Sequence, residues 1–187
     1  AVEEDLHRAA ASQVPAPALA PGPAASRLLD HAKLVFAWHQ RDFGCPGAED
    51  GGSDQWEAVR KAYVAALAAW QCAHPTTSAY REDVDRDGTE EVVVVSPTDM
   101  FVLSPIGSKL LYWYDLEYGD QIVGSDLGEA NRWALVDSIT GFSEPDFPAT
   151  PYNVELSPDS SSVVFEAAAG AARLRKEFVR VQRGFRV

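Results

Sequence analysis

The chain has 187 residues, enough for one domain of ordinary size or one domain with a helical annex. Its 16 Lys and Arg against 28 Asp and Glu give a net charge of −12, so the average surface repels phosphate and nucleic acid is excluded as a partner. With 46% hydrophobic and 10% aromatic residues the chain can fill a core, and without a run of ~18 apolar residues nothing in it is expected to span a membrane.

Residue 1 is Ala and no basic-then-apolar leader follows, so the expectation is a processed product or a piece of a longer chain. Extracellular and cytoplasmic locations both stay open. Residues 2–12 read as a short helix with acidic residues at the end where the helix dipole favours them. Pro15 to Pro23 holds four prolines in nine residues, which forbids a regular helix and predicts an extended arm, with residues 1–25 as arm and linker. Ser26 then caps a helix to about Arg41, with Leu29, Leu34, Phe36 and Trp38 among its apolar positions. A glycine-rich loop follows from Gly44 to Ser53.

Asp54 and Glu57 have capping-box spacing and open a second helix to residue 72. Trp56, Val59, Tyr63, Leu67 and Trp70 form a stripe of 3.6-residue period. Alanines between these anchors let a neighbouring helix approach closely, so residues 26–75 are expected to form an antiparallel helical hairpin. Cys45 and Cys72 bracket the second helix; a disulfide and two separate thiols are both compatible with them, and the absence of CxxC or Cys/His clusters argues against structural zinc.

From His74-Pro75 the pattern changes to short runs rich in Val, Ile, Tyr, Phe and Trp. The expected strands are Val92–Val95, Met100–Leu103, Lys109–Leu116, Gln121–Val123, Trp133–Ile139, Tyr152–Leu156, Ser162–Ala167 and Ala172–Val181. Turn residues separate them and no helix intervenes. The fold class is therefore α+β: an N-terminal helix pair packed on an antiparallel β-sandwich that occupies residues 76–187.

Asp83-Val84-Asp85-Arg86-Asp87-Gly88-Thr89-Glu90-Glu91 is a D-x-D-x-D-G-x-x-E pattern directly before a strand. Oxygen ligands at alternate positions, a glycine for the sharp turn and a late carboxylate suit Ca2+. Asp83, Asp85 and Asp87 would give side-chain oxygens, Thr89 a backbone carbonyl and Glu91 a further carboxylate, in a structural role. The twelfth position is Val94, so this is not an EF-hand. A solvated acidic turn is the other reading. Integrin-type calcium loops also place such a turn before a strand, but they repeat and this one is single.

The stretch DVDRDGTEEVVVVSPTDMFVLSPIGSKLLYWYDL resembles the opening of the non-catalytic β-sandwich that follows the barrel in glycoside hydrolase family 57 and related polysaccharide-processing enzymes. VVFEAAAGAARLRKEFVRV, with Leu174, Lys176 and Phe178, is similar to a hairpin of galactose-mutarotase-like sandwiches. The resemblance covers about residues 80–187 and implies a helical connector ahead of the sandwich. The family's catalytic carboxylates lie in the barrel, which no part of this chain resembles, so none is carried over. Family sandwiches continue past the point reached here at Val187, and another segment is expected to complete the sheet.

Tyr112, Trp113, Tyr114 and Tyr118 cluster in one strand and its turn. Tyr112, Trp113 and Tyr118 are candidates for stacking on sugar rings, with core packing as the alternative. A strict two-residue period puts Leu111 and Trp113 on one face and Leu110, Tyr112, Tyr114 and Leu116 on the other, as in a strand covered on both sides. His7, His31, His39 and His74 are scattered; His39 with Asp42 reads as a surface pair. Ser104 and Ser138 lack a nucleophile-elbow context. Asp115, Glu117, Asp120 and Asp126 are close enough in sequence for an acid/base pair, and equally read as acidic turns.

Three functions follow as expectations. The first is a non-catalytic accessory or scaffold module of a carbohydrate-active enzyme, its partners being the rest of a larger enzyme chain and a polysaccharide. The second is a calcium-dependent binding or adhesion domain of an exported protein. The third is a small sugar-acting hydrolase or epimerase.

Overall fold

A computed structural model of the protein describes residues 22–40, 52–84, 88–124, 149–169 and 172–187. The expected helix at 2–12, most of the proline-rich arm and of the glycine-rich loop, and the strand at Trp133–Ile139 lie outside them, as do Cys45, Asp85, Asp87 and Asp126. The described residues form two helices, α1 (Pro23–Gln40) and α2 (Gly52–Ala73), followed by strands alone. Strands β1 (Ser78–Glu82), β2 (Glu91–Val95), β3 (Asp99–Leu103), β4 (Leu110–Asp115) and β5 (Asp120–Val123) make a five-stranded antiparallel sheet in sequence order. Strands β6 (Asn153–Leu156), β7 (Ser162–Ala169), β8 (Ala172–Arg180) and β9 (Phe185–Arg186) make a second antiparallel sheet, also in sequence order. The α+β expectation holds: helices plus two antiparallel sheets. Strands β1 and β9 were not foreseen, because Ser78–Glu82 carries one large apolar residue and Phe185–Arg186 is two residues long.

The molecule is three layers deep. On one face of the five-stranded sheet Val93, Val95, Met100, Val102, Tyr114 and Leu116 pack with Leu28 and Ala32 of α1 and Val64, Ala65 and Ala68 of α2. On the other face Val92, Phe101, Leu103 and Leu110 pack with Val163, Phe165 and Phe178 of the second sheet. Side-chain alternation explains why β2 and β3 read as continuous apolar runs: each is buried on both faces.

Both helices start earlier than their cap signals imply. Pro23 occupies the first turn of α1, where its missing N–H costs nothing, and the Ser26 N–H donates to the Gly22 carbonyl at 2.9 Å. Ser26 is therefore inside the helix, and the arm assigned to residues 1–25 ends sooner. Helix α2 opens at Gly52, which puts Asp54 in the first turn instead of at the cap. The buried stripe of α1 is Ala25, Leu28, Ala32 and Val35, while Leu29, Leu34 and Trp38 face outward. In α2 the deepest positions are Val64, Ala65, Ala68 and Ala69, with Tyr63 and Leu67 flanking them. Small residues win the centre of this contact because two helices and a sheet converge there.

Strand β4 departs from strict alternation. Val102 lies opposite Tyr112 but Leu103 opposite Leu110, so Leu111 is a bulge. Leu110 and Trp113 consequently face the second sheet, while Leu111, Tyr112 and Tyr114 all face the helices. The pairing of Leu111 with Trp113 expected from the two-residue period is overturned by that extra residue. The covering of β4 on both faces stands.

Candidate functional site

The acidic turn hangs between β1 and β2. Val84 is fully buried in the helix-facing core and anchors the turn from below. Glu91, only 2% exposed at the start of β2, accepts the Val84 N–H on Oε2 at 3.1 Å. Asp83 accepts the Gly88 N–H on Oδ2 at 3.1 Å, and its Oδ1 is shielded from solvent without a hydrogen-bond partner. Gly88 takes φ +92°, a conformation that suits glycine and few other residues. Asp83, Gly88 and Glu91 are thus drawn to one turn, with Thr89 partly buried beside them. Among the described residues no group of three or more His, Cys, Asp or Glu converges; Asp85 and Asp87 lie outside them.

The aromatic candidates do not share a surface. Tyr112 points to the helices, its ring 6.2 Å from that of Tyr114. Trp113 points into the space between the sheets, 5.5 Å from Phe101, and its indole N–H donates to Asp99 Oδ1 at 2.9 Å. Tyr118, 51% exposed on the β4–β5 turn, stacks its ring under the Arg183 guanidinium, which also pairs with Glu117.

Sequence reasoning did not single out Asp99, which is 4% exposed. Besides Trp113 it accepts the Thr98 hydroxyl at 2.6 Å and the Gly184 N–H at 3.2 Å, both on Oδ2. One carboxylate thus joins β3, β4 and the β8–β9 turn. Its sequence signal is faint: a lone acid opening an apolar strand.

The other acids have structural work. Asp115 Oδ1 accepts the Glu117 and Tyr118 N–H groups, each at 2.9 Å, and so shapes the β4–β5 turn. Asp120 is exposed and lies opposite Asp115 in the ladder. His31 meets Gln121 Oε1 at 2.7 Å, joining α1 to β5, and His74 stacks on Trp70. The side chain of His39 and Asp42 lie outside the described residues. Ser104 Oγ accepts the Ile106 N–H within the β3–β4 turn. Cys72 is a free thiol that donates to the Leu116 carbonyl at 3.1 Å, and burial pushes its pKa up.

No family model matches the chain, and no curated protein matches it. Among solved structures, a 4-alpha-glucanotransferase from Thermococcus litoralis is similar over 86% of this chain at 12% identity, with a TM-score of 0.45. The chain spans 33% of that enzyme's length.

Proposed function

We propose that this chain is a non-catalytic scaffold module of a carbohydrate-active enzyme, with its acidic turn organised by a Ca2+ ion. The observation that carries the scaffold reading is the use made of the central sheet. Both of its faces are covered, and Asp99, Trp113, Asp115 and Tyr112 are engaged in packing or turn formation. A surface of this kind supports a neighbouring domain. The link to carbohydrate rests on the sequence resemblance over about residues 80–187, and Tyr118 offers an exposed aromatic ring for a glycan chain.

For the ion, the support is the D-x-D-x-D-G-x-x-E spacing together with the solvent-shielded Oδ1 of Asp83. Asp83, Asp85, Asp87 and Glu91 would hold the cation through carboxylates and Thr89 through its carbonyl. The ion would neutralise charge that otherwise repels across the turn and would fix the β1–β2 connection.

Two measurements test this. Purified chain incubated with α- and β-linked polysaccharides should release no reducing ends; turnover by the chain alone would end the scaffold reading. Thermal unfolding in millimolar calcium against chelator should show a higher midpoint with calcium, because a ligand bound only by the native state adds RT ln(1+[L]/Kd). The shift should vanish in Asp85→Ala, and identical midpoints for the wild-type chain would remove the ion.

A further inference from the structure

Strand β8 points alternate residues toward the core. Ala172, Leu174 and Phe178 lie in the apolar layer between the sheets, and Lys176 reaches out of it to donate to the Ser108 carbonyl at 3.3 Å. Arg180 ends this inward row, directly opposite Phe185 of β9, itself part of the same layer. Its Nη1 is buried and has no hydrogen-bond partner, and no ion pair engages its guanidinium among the described residues. Across from it the Ser160 hydroxyl, on a residue at φ +57°, borders the same shallow crevice, whose floor is made by Phe101, Phe178 and Phe185.

A guanidinium is charged at every pH at which the protein is folded, and burying part of it unpaired is unfavourable unless an anion or strong acceptor meets it. The chain's own acids near this point are used elsewhere. Asp159 accepts the Ser161 N–H at 3.1 Å, Glu117 pairs with Arg183, and Glu166 and Glu177 both pair with Arg175. Charge is also distributed unevenly. Residues 172–187 hold six of the chain's 16 basic residues and one of its 28 acids, so this hairpin is cationic on an anionic molecule.

We propose that the mouth of this crevice is an oxyanion site, in which a carboxylate or phosphate group accepts N–H bonds from Arg180 and an O–H bond from Ser160. The crevice is shallow, so the charged head enters and the rest of the ligand stays outside. The planar fork of arginine suits either oxyanion.

The test uses the full chain with sodium acetate, sodium phosphate or sodium chloride at equal ionic strength. Acetate or phosphate should raise the unfolding midpoint above that in chloride, and which of them does so tells carboxylate from phosphate. Arg180→Met should lose that difference while unfolding at or above the wild-type midpoint in chloride, and Ser160→Ala should weaken binding several-fold. Should Arg180→Met fail to fold, the Arg180 Nε–H resonance of the wild-type chain decides, and it should move saturably with the effective anion. No anion-specific shift in either measurement, or an equal shift in Arg180→Met, would overturn the site.

Discussion

Asp99 shows how one side chain can hold two sheets in register. A buried carboxylate is tolerable only when donors surround it, and here an indole, a hydroxyl and a backbone N–H do so. Asp99→Ala leaves the Trp113 and Gly184 donors unsatisfied and should cost about 2–4 kcal/mol in denaturant unfolding. Trp113→Ala should cost ~3–5 kcal/mol by opening a cavity between the sheets; a fully stable variant would contradict its core position. Two titrations act at the same scale. Asp159 is drawn down to about 2 by hydrogen bonds from the Ser161 hydroxyl and N–H and from Ser157. Because its folded pKa lies below the unfolded one, its contribution is complete above about pH 4 and is lost as pH falls toward 2. Asp159→Asn should therefore flatten the acid limb of the stability curve. Tyr80 is pushed up to about 12, first by burial, then by the Glu82 charge, against the Gln71 hydrogen bond. Its folded pKa lies above the unfolded one, so its stabilising share is whole below pH 10 and declines between about 10 and 12; Tyr80→Phe should abolish that decline.

At the level of elements, contacts between distant turns decide the assembly. The β4–β5 turn lies against the first turn of α1 so closely that a Cβ on Gly119 would meet the Ala24 Cα at 2.7 Å, and Gly119 has φ +75°. Gly119→Ala adds backbone strain to this collision, and a loss of about 1–3 kcal/mol is expected; chemical denaturation gives the figure directly. The β3–β4 turn likewise joins the approach to β6: the Gly107 N–H donates to the Thr150 carbonyl and the Tyr152 N–H to the Pro105 carbonyl, at 2.9 and 2.8 Å. Much of this architecture was legible in sequence. The helix pair and seven of the observed strands follow from apolar period and turn residues. The rest was hidden for physical reasons. Strand β1 presents Ser78, Arg81 and Glu82 at a sheet edge, where little apolar signal is needed. The inner stripe of α1 is alanine-rich, so its larger residues Leu34 and Trp38 misdirect a reading by size. The Asp83–Glu91 pattern was legible as a motif, whereas Asp99 and Arg180 were not, because their roles depend on partners 85 and 20 positions away in sequence.

Across the whole molecule, the five-stranded sheet belongs to two cores at once. Layers that share a sheet cannot lose one partner without exposing Val93, Val95, Met100 and Tyr114 on one side or Phe101 and Leu103 on the other. Helical circular dichroism and Trp113 fluorescence should accordingly report one coincident transition on unfolding. Separate transitions would mean that the helical layer folds and unfolds independently. The charge asymmetry also acts at this scale, since the cationic β8–β9 hairpin gives an otherwise anionic protein one face that attracts anions.

The extra residue in β4 has an effect on chain length. Leu111 resets the phase of the strand, so the six positions Leu110–Asp115 satisfy two different neighbours only at their present count. Deleting Leu111 would turn either the segment before it or the segment after it inside out, carrying Leu110 toward the helices or Tyr112, Trp113 and Tyr114 to the wrong layers. The strand can therefore exchange one apolar side chain for another far more readily than it can change its length by one.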